Sequence, residues 1–351
     1  MKVRLSLLDQ SPIVAGKSAR DAIAATIDLV QAAEELGYER YWLAEHHGLL
    51  SLGDPCPEIM LARLGSVTRR IRIGTGGILL PYYSPFKVAE QFRMLEAMFP
   101  GRIDLGVGRA PGGDMRTARA VMGSTTGGSY SAAEFFPRQV MELVALLDSA
   151  LPPDHPHADV VLQPQVETAP QVWILGSSDY GGALAAQLGV RFAFAHFINA
   201  HGGQGVARAY REEFQAAAHV ADTRGAVPAA PYHALAVFAI AASTQSRADD
   251  MAAAVDVRRL QMAYGINAPI SSVAEAHSRL RHLSDRDRAI IEHERPRAII
   301  GTPDLVADRI AELAELFAAD EVIVLTVAPE YGARMESCAL LARCFALTAG
   351  T

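Results

Sequence analysis

The chain has 351 residues, half of them apolar and a fifth charged, with a formal net charge of −7. That balance suits a globular protein with a large core and argues against a general nucleic-acid binder, which needs a basic face for phosphates. No apolar run reaches membrane-spanning length, because charges interrupt the Ala-rich stretches at helical spacing.

The start, Met1 to Leu8, is too short and too soon followed by Asp9-Gln10 for a signal peptide. The three cysteines, Cys56, Cys338 and Cys344, lack metal-type spacing. We therefore expect reduced thiols in a cytoplasmic protein.

Short apolar runs alternate with longer amphipathic ones along the whole chain. A strand is predicted over Val3–Leu8, then a helix over Ala19–Leu36 that ends at Gly37. The second strand, Tyr41–Ala44, stops at Glu45-His46-His47, and a helix follows over Pro57–Thr68. The third, Ile71–Thr75, runs into Gly76-Gly77 and a helix over Pro85–Phe99, and the fourth, Ile103–Gly108, stops at Arg109. A Gly-, Ser- and Thr-rich stretch, 110–137, breaks the rhythm before a helix over Gln139–Ala150. Strands over Val172–Leu175 and Arg191–Ala195 alternate with helices over Tyr180–Leu188 and Gly205–Ala218. A strand over Ala234–Ala241 and a helix over Ala248–Tyr264 precede a charged stretch, 265–296. The last units are a helix over Pro303–Phe317, opened by Thr302-Pro303-Asp304, a strand over Glu321–Thr326 and a helix over Met335–Phe345.

Eight such strands point to a (β/α)8 TIM barrel rather than a doubly wound sheet, and no linker divides the chain. Residues 1–351 are thus expected to form a single domain. The stretches 110–137 and 265–296 are expected to be active-site loops or lids at the C-terminal rim, the second closing over the site.

Four strand ends carry residues that a core does not need. In Glu45-His46-His47, strand alternation puts Glu45 and His47 on one side and His46 on the other. The three satisfy buried backbone groups, bind a metal or act in catalysis; adjacent imidazoles do not easily face one ion, so metal is the weaker reading. Gly74-Thr75-Gly76-Gly77 makes either a bulge or a bare backbone platform for a flat ligand. Gly106-Val107-Gly108-Arg109 is not a dinucleotide fingerprint, since no helix opens there; Arg109 either grips a phosphate or joins a surface ion pair. After the fifth strand, Gly176-Ser177-Ser178, with Tyr180 and Gly181, makes an anion site at a helix start or a simple N-cap. Together the four suit a planar, phosphorylated cofactor across the barrel mouth.

These segments, with Glu90-Gln91 and the opening Ser6-Leu7-Leu8-Asp9-Gln10-Ser11-Pro12, resemble the bacterial luciferase-like flavin monooxygenase family, within it a subgroup of single-chain enzymes. The resemblance implies a barrel that takes reduced FMN from a separate flavin reductase and, with O2, oxidises a small organic substrate through a flavin peroxide. It places a peptide beneath the flavin ring, often a non-proline cis bond, at Gly76-Gly77. It puts the phosphate on Arg109 and on Gly176, Ser177 and Ser178 with Tyr180 and Gly181, and it makes His46 the catalytic imidazole, flanked by Glu45 and His47. It implies a homodimer through the second and third helices and no bound metal. Luciferase has a reactive cysteine where this chain has Gly108, and a glutamate in the phosphate loop that is missing here, which argues against light emission. Related barrels use the deazaflavin F420 for hydride transfer, and one relative stores flavin without turnover; these are the alternatives.

Overall fold

The computed structural model describes residues 3–110, 112–123, 132–216 and 225–349. Its strands are β1 (Arg4–Asp9), β2 (Arg40–Leu43), β3 (Arg72–Leu79), β4 (Ile103–Gly108), β5 (Gln171–Gly176), β6 (Arg191–Ala195), β7 (His233–Ala241), β8 (Ala298–Gly301) and β9 (Glu321–Leu325). β1 to β7 pair in parallel in sequence order, and β9 joins β7 back to β1, so eight strands close a (β/α)8 barrel. All eight predicted strands are staves of it. β8 is not among them. It is four residues long and pairs with the far half of β7, Phe238–Ala241, beyond the Ala234–Phe238 stretch that β9 occupies. The overhang of β7 leaves ladder groups that β8 satisfies.

The helices are α1 (Ala19–Leu36), α2 (Pro57–Val67), α3 (Pro85–Met98), α4 (Met115–Met122), α5 (Ala132–Leu147), α6 (Asp179–Leu188) and α7 (Gly203–Glu212). They continue as α8 (Gln245–Ala263), α9 (Val273–Leu280), α10 (Asp285–Glu294), α11 (Pro303–Leu316) and α12 (Tyr331–Cys344). α1 shows the local logic. Ser18 caps it by accepting from the Asp21 amide, while the Asp21 carboxylate accepts from the Ser18 amide at 2.8 Å. Its buried stripe is Ala22, Thr26, Leu29, Val30 and Ala33. Gly37 ends it at φ 88°, and a Cβ there would lie 2.5 Å from the Thr348 carbonyl carbon. α7 is shorter than the predicted Gly205–Ala218, and residues 217 and 218 of that prediction lie outside the described residues.

Both stretches expected as loops contain helices. In 110–137, of which 111 and 124–131 lie outside the described residues, Asp114 caps α4 and α5 begins at Ala132. In 265–296, Ser272 with Glu275 and Ser284 with Asp287 form capping boxes that start α9 and α10. α9 buries Ala276 against Ala253, Ala254 and Val257 of α8. Polar composition hid two well-capped helices, because both show their charged faces to solvent.

Strand alternation sorts the barrel interior into layers. At the bottom, Asp104 accepts from Arg40 at 2.9 Å and from Arg72 at 2.7 Å, and Arg40 also pairs with Glu321 at 2.7 Å. Above it Trp42 and Trp173 meet edge to face, ring centroids 5.0 Å apart. Above the tryptophans the interior residues turn small: Ala44, Ala193 and Ala236. A barrel of this kind normally fills every layer with bulky side chains. Here the top layer is hollow.

On the outer face of β7, His233 is fully buried and stacks on Phe192 at 5.6 Å, with no hydrogen-bond partner for either ring nitrogen. Burial, reinforced by the charge of Arg211, pushes its pKa down to about 3. A histidine kept neutral in the fold but free to protonate in the unfolded chain costs stability as pH falls below its ordinary value of about 6.5. His233→Phe, which keeps the stacking, should remove acid destabilisation of up to about 1.4 kcal/mol per pH unit between about pH 6.5 and pH 3. Denaturant midpoints of both proteins at neutral and mildly acid pH give the answer; equal pH slopes would contradict it.

The three cysteines are free thiols, as expected. No described helix is long and apolar enough to cross a membrane.

Candidate active site

The hollow top layer opens into a cavity of about 710 Å³ at the C-terminal ends of the strands, ample for a cofactor-sized ligand. The inward parity of β2 runs Arg40, Trp42, Ala44 and continues to His46, which lines the cavity. Glu45 and His47 pair with each other away from the His46 ring, as alternation predicts, although Glu45 also borders the cavity. The Glu45 carboxylate meets His47 Nε2 at 2.6 Å, and accepts from Tyr83 Oη and from the Leu79 amide at 2.7 Å. Glu45 therefore orients His47 rather than His46, and it ties the end of β3 to β2. His47 is absent from the cavity lining.

His46 sits in a different environment. Its Nδ1 is buried without a partner. Burial, then the charge of Arg258, lower its pKa to about 4 against an opposing backbone hydrogen bond with Ala44, with His47 the smallest influence. The imidazole is thus neutral at pH 7.

Gly76 and Gly77 line the cavity and are joined by a cis peptide bond. The ladder with β4 skips a residue between Gly76 and Ile78. A Cβ on Gly77 would lie 2.4 Å from Leu175 Cδ1 and 2.5 Å from the Gly106 oxygen. The bulge read from the sequence is present, and the two glycines leave the backbone bare on the cavity wall.

Arg109 projects into the cavity with its guanidinium 4.1 Å over the Tyr180 ring, and it makes no ion pair among the described residues. Ser178 stands at the N-cap of α6, yet its side chain makes no capping bond. Gly176 and Gly181 lie back to back, so that a Cβ on Gly181 would sit 3.2 Å from the Gly176 Cα. That contact brings the start of α6 against the end of β5. The helix start, Ser177, Ser178 and Arg109 face one region of the cavity, and the Tyr180 hydroxyl there is buried without a partner.

Apart from His47, every predicted site residue lies on this lining. Other lining residues were not foreseen. Gln10 continues the inward parity of β1, a signal available in the sequence. Tyr82, and Met115 and Met122 of α4, come from segments without strand periodicity. No residue of 265–296 lines the cavity; Asn267 instead bonds the Leu50 amide and the Gly48 carbonyl, bracing the loop after His47. Among the described residues no group of His, Cys, Asp and Glu could hold a metal ion.

A family model described as luciferase-like monooxygenase matches residues 1–320. The chain belongs to that family. It is 39% identical over 343 residues to the uncharacterised protein YceB of Bacillus subtilis, covering 98% of this chain and 99% of that one. It is 34% identical over 324 residues to the N-acetyl-S-alkylcysteine monooxygenase of the same organism, covering 92% of each. The crystal structure of apo-MsnO8 superposes with a TM-score of 0.87 at 32% identity, covering 99% of both chains. The chain is therefore an enzyme of a monooxygenase family, on the barrel that its strand count implied.

Proposed function

We propose that this chain is the oxygenating component of a two-component system, using reduced FMN from a separate flavin reductase and O2 to oxidise a small organic substrate. One observation carries the reading: the bare Gly76-Gly77 platform, Arg109 beside the α6 start with no ion pair among the described residues, and the His46 imidazole share one cavity. These residues fit FMN. The platform, kept bare because a Cβ at either glycine would strike Leu8 and Trp42 or Leu175 and Gly106, would take the ring; Arg109, Ser177, Ser178 and the amides near Gly181 would hold the phosphate. The bound flavin would supply the activation of oxygen.

The protein's part is to position and to exclude water. His46, neutral and with a free Nδ1, would offer a hydrogen bond to oxygen-derived charge or to the substrate. Glu45 is a positioning residue: through Leu79, Tyr83 and His47 it fixes the platform against β2. Exposed Ile59, Met94 and Met98 on α2 and α3 suit pairing with a second copy of the chain.

Anaerobic titration with reduced FMN, then admission of oxygen with a thioether panel that includes N-acetyl-S-alkylcysteines, tests the reading. We expect tight binding of reduced FMN, weakened about tenfold or more by Arg109→Ala, and oxidised product formed in step with oxygen uptake. Reduction of F420 by an alcohol without oxygen would replace it with the hydride-transfer alternative. Flavin binding without product across the panel would favour storage.

A further inference from the structure

One buried cation at the barrel mouth has no role in the account above. Arg258, on α8, donates from Nη2 to Gln10 Oε1 at 3.2 Å. Its Nη1 is buried and has no hydrogen-bond partner. Its neighbours on the helix are engaged elsewhere: Asp256 pairs with Arg295 at 2.6 Å, and Arg259 lies over the Phe238 ring. No carboxylate among the described residues forms an ion pair with Arg258. Burial alone accounts for the lowering of its pKa to about 10, and the charge reaches His46.

Burying a guanidinium without a counter-ion and leaving one of its nitrogens bare is costly. The fork of Arg258 is shaped for two oxygens, and Gln10 supplies one neutral oxygen. Gln10 lines the cavity beside His46, at the end of the inward parity of β1. Below lies the hollow of Ala44, Ala193, Ala195 and Ala236, which is apolar and empty of bulky side chains. Arg258 itself stands behind the lining, covered by Gln10, so an anionic head that displaced Gln10 would reach it while an apolar body filled the hollow.

We propose that Arg258, with Gln10 as its movable cover, binds the carboxylate of an apolar organic acid whose body lies in the alanine-lined hollow. That this acid is the substrate rests on the monooxygenase reading; that the acid binds there does not. The head group would stand next to His46, so the same contact would set which atom of the acid meets the reactive centre.

The test is binding without turnover, by calorimetry on the full chain with FMN present. The probes are short-chain fatty acids and N-acetyl-S-ethylcysteine, each beside its methyl ester. Acids should bind about tenfold to a hundredfold more tightly than their esters. Arg258→Met should erase that preference, and Gln10→Glu should abolish acid binding while raising the thermal midpoint, since it places a carboxylate on the waiting cation. The proposal is overturned if no acid outbinds its ester, or if either variant keeps the preference. Should Arg258→Met fail to fold, Gln10→Glu decides alone. Acid binding without any oxygenation would retain this site and remove the monooxygenase reading.

Discussion

Replacing Asp104 by alanine should cost about 3–5 kcal/mol of stability, the usual price of stripping the partner from a buried charge. The carboxylate is fully buried and receives Arg40, Arg72 and the Trp42 indole, at 2.9, 2.7 and 3.0 Å. The charges of Arg40 and Arg72 hold its pKa below the ordinary value, against the opposing effect of burial. Arg191 adds a third cation nearby, and burial lowers its own pKa to about 10. Without Asp104, Arg40 would keep Glu321, while Arg72 would have no ion-pair partner among the described residues. Asp104→Asn keeps an acceptor for the arginines and loses the charge, so it should fall between the two. Denaturant unfolding at neutral pH measures this; a loss under about 1 kcal/mol for the alanine variant would show that water takes over the cations cheaply.

His46→Ala should lower turnover by about a hundredfold to a thousandfold, the range for a lost hydrogen bond to developing charge. Because the imidazole is neutral at pH 7, wild-type turnover should show no inflection near pH 6.5 that the variant lacks. His46→Gln, which retains a donor, should recover part of the loss, whereas His47→Ala should act on platform order and flavin affinity. Turnover measured with saturating reduced FMN separates the two. Undiminished oxidation by the alanine variant would remove His46 from the reaction.

Much of the site could be read from the sequence because a parallel barrel sends its strand ends to one rim. Once Tyr41–Ala44 and Ile103–Gly108 were strands, the residues following them had to meet, whatever the intervening helices. Alternation also placed His46 apart from Glu45 and His47. Reading β1 by the same rule would have found Gln10. The helices α9 and α10 were concealed by polar composition, although Ser272-x-x-Glu275 and Ser284-x-x-Asp287 carried the capping signal.

By itself the sequence determined the strand and helix alternation, the closed barrel and the rim on which chemistry is arranged, since these follow from short-range periodicity. Only the tertiary structure decided which charges are solvated and which are not. Among the described residues it left Arg109 free of ion pairs and buried Arg258 without a counter-ion; it also gave Glu45 to His47 and kept His46 neutral. The physical reason is that desolvation and pairing depend on neighbours tens to hundreds of residues away, such as Tyr83 for Glu45 or Gln10 for Arg258.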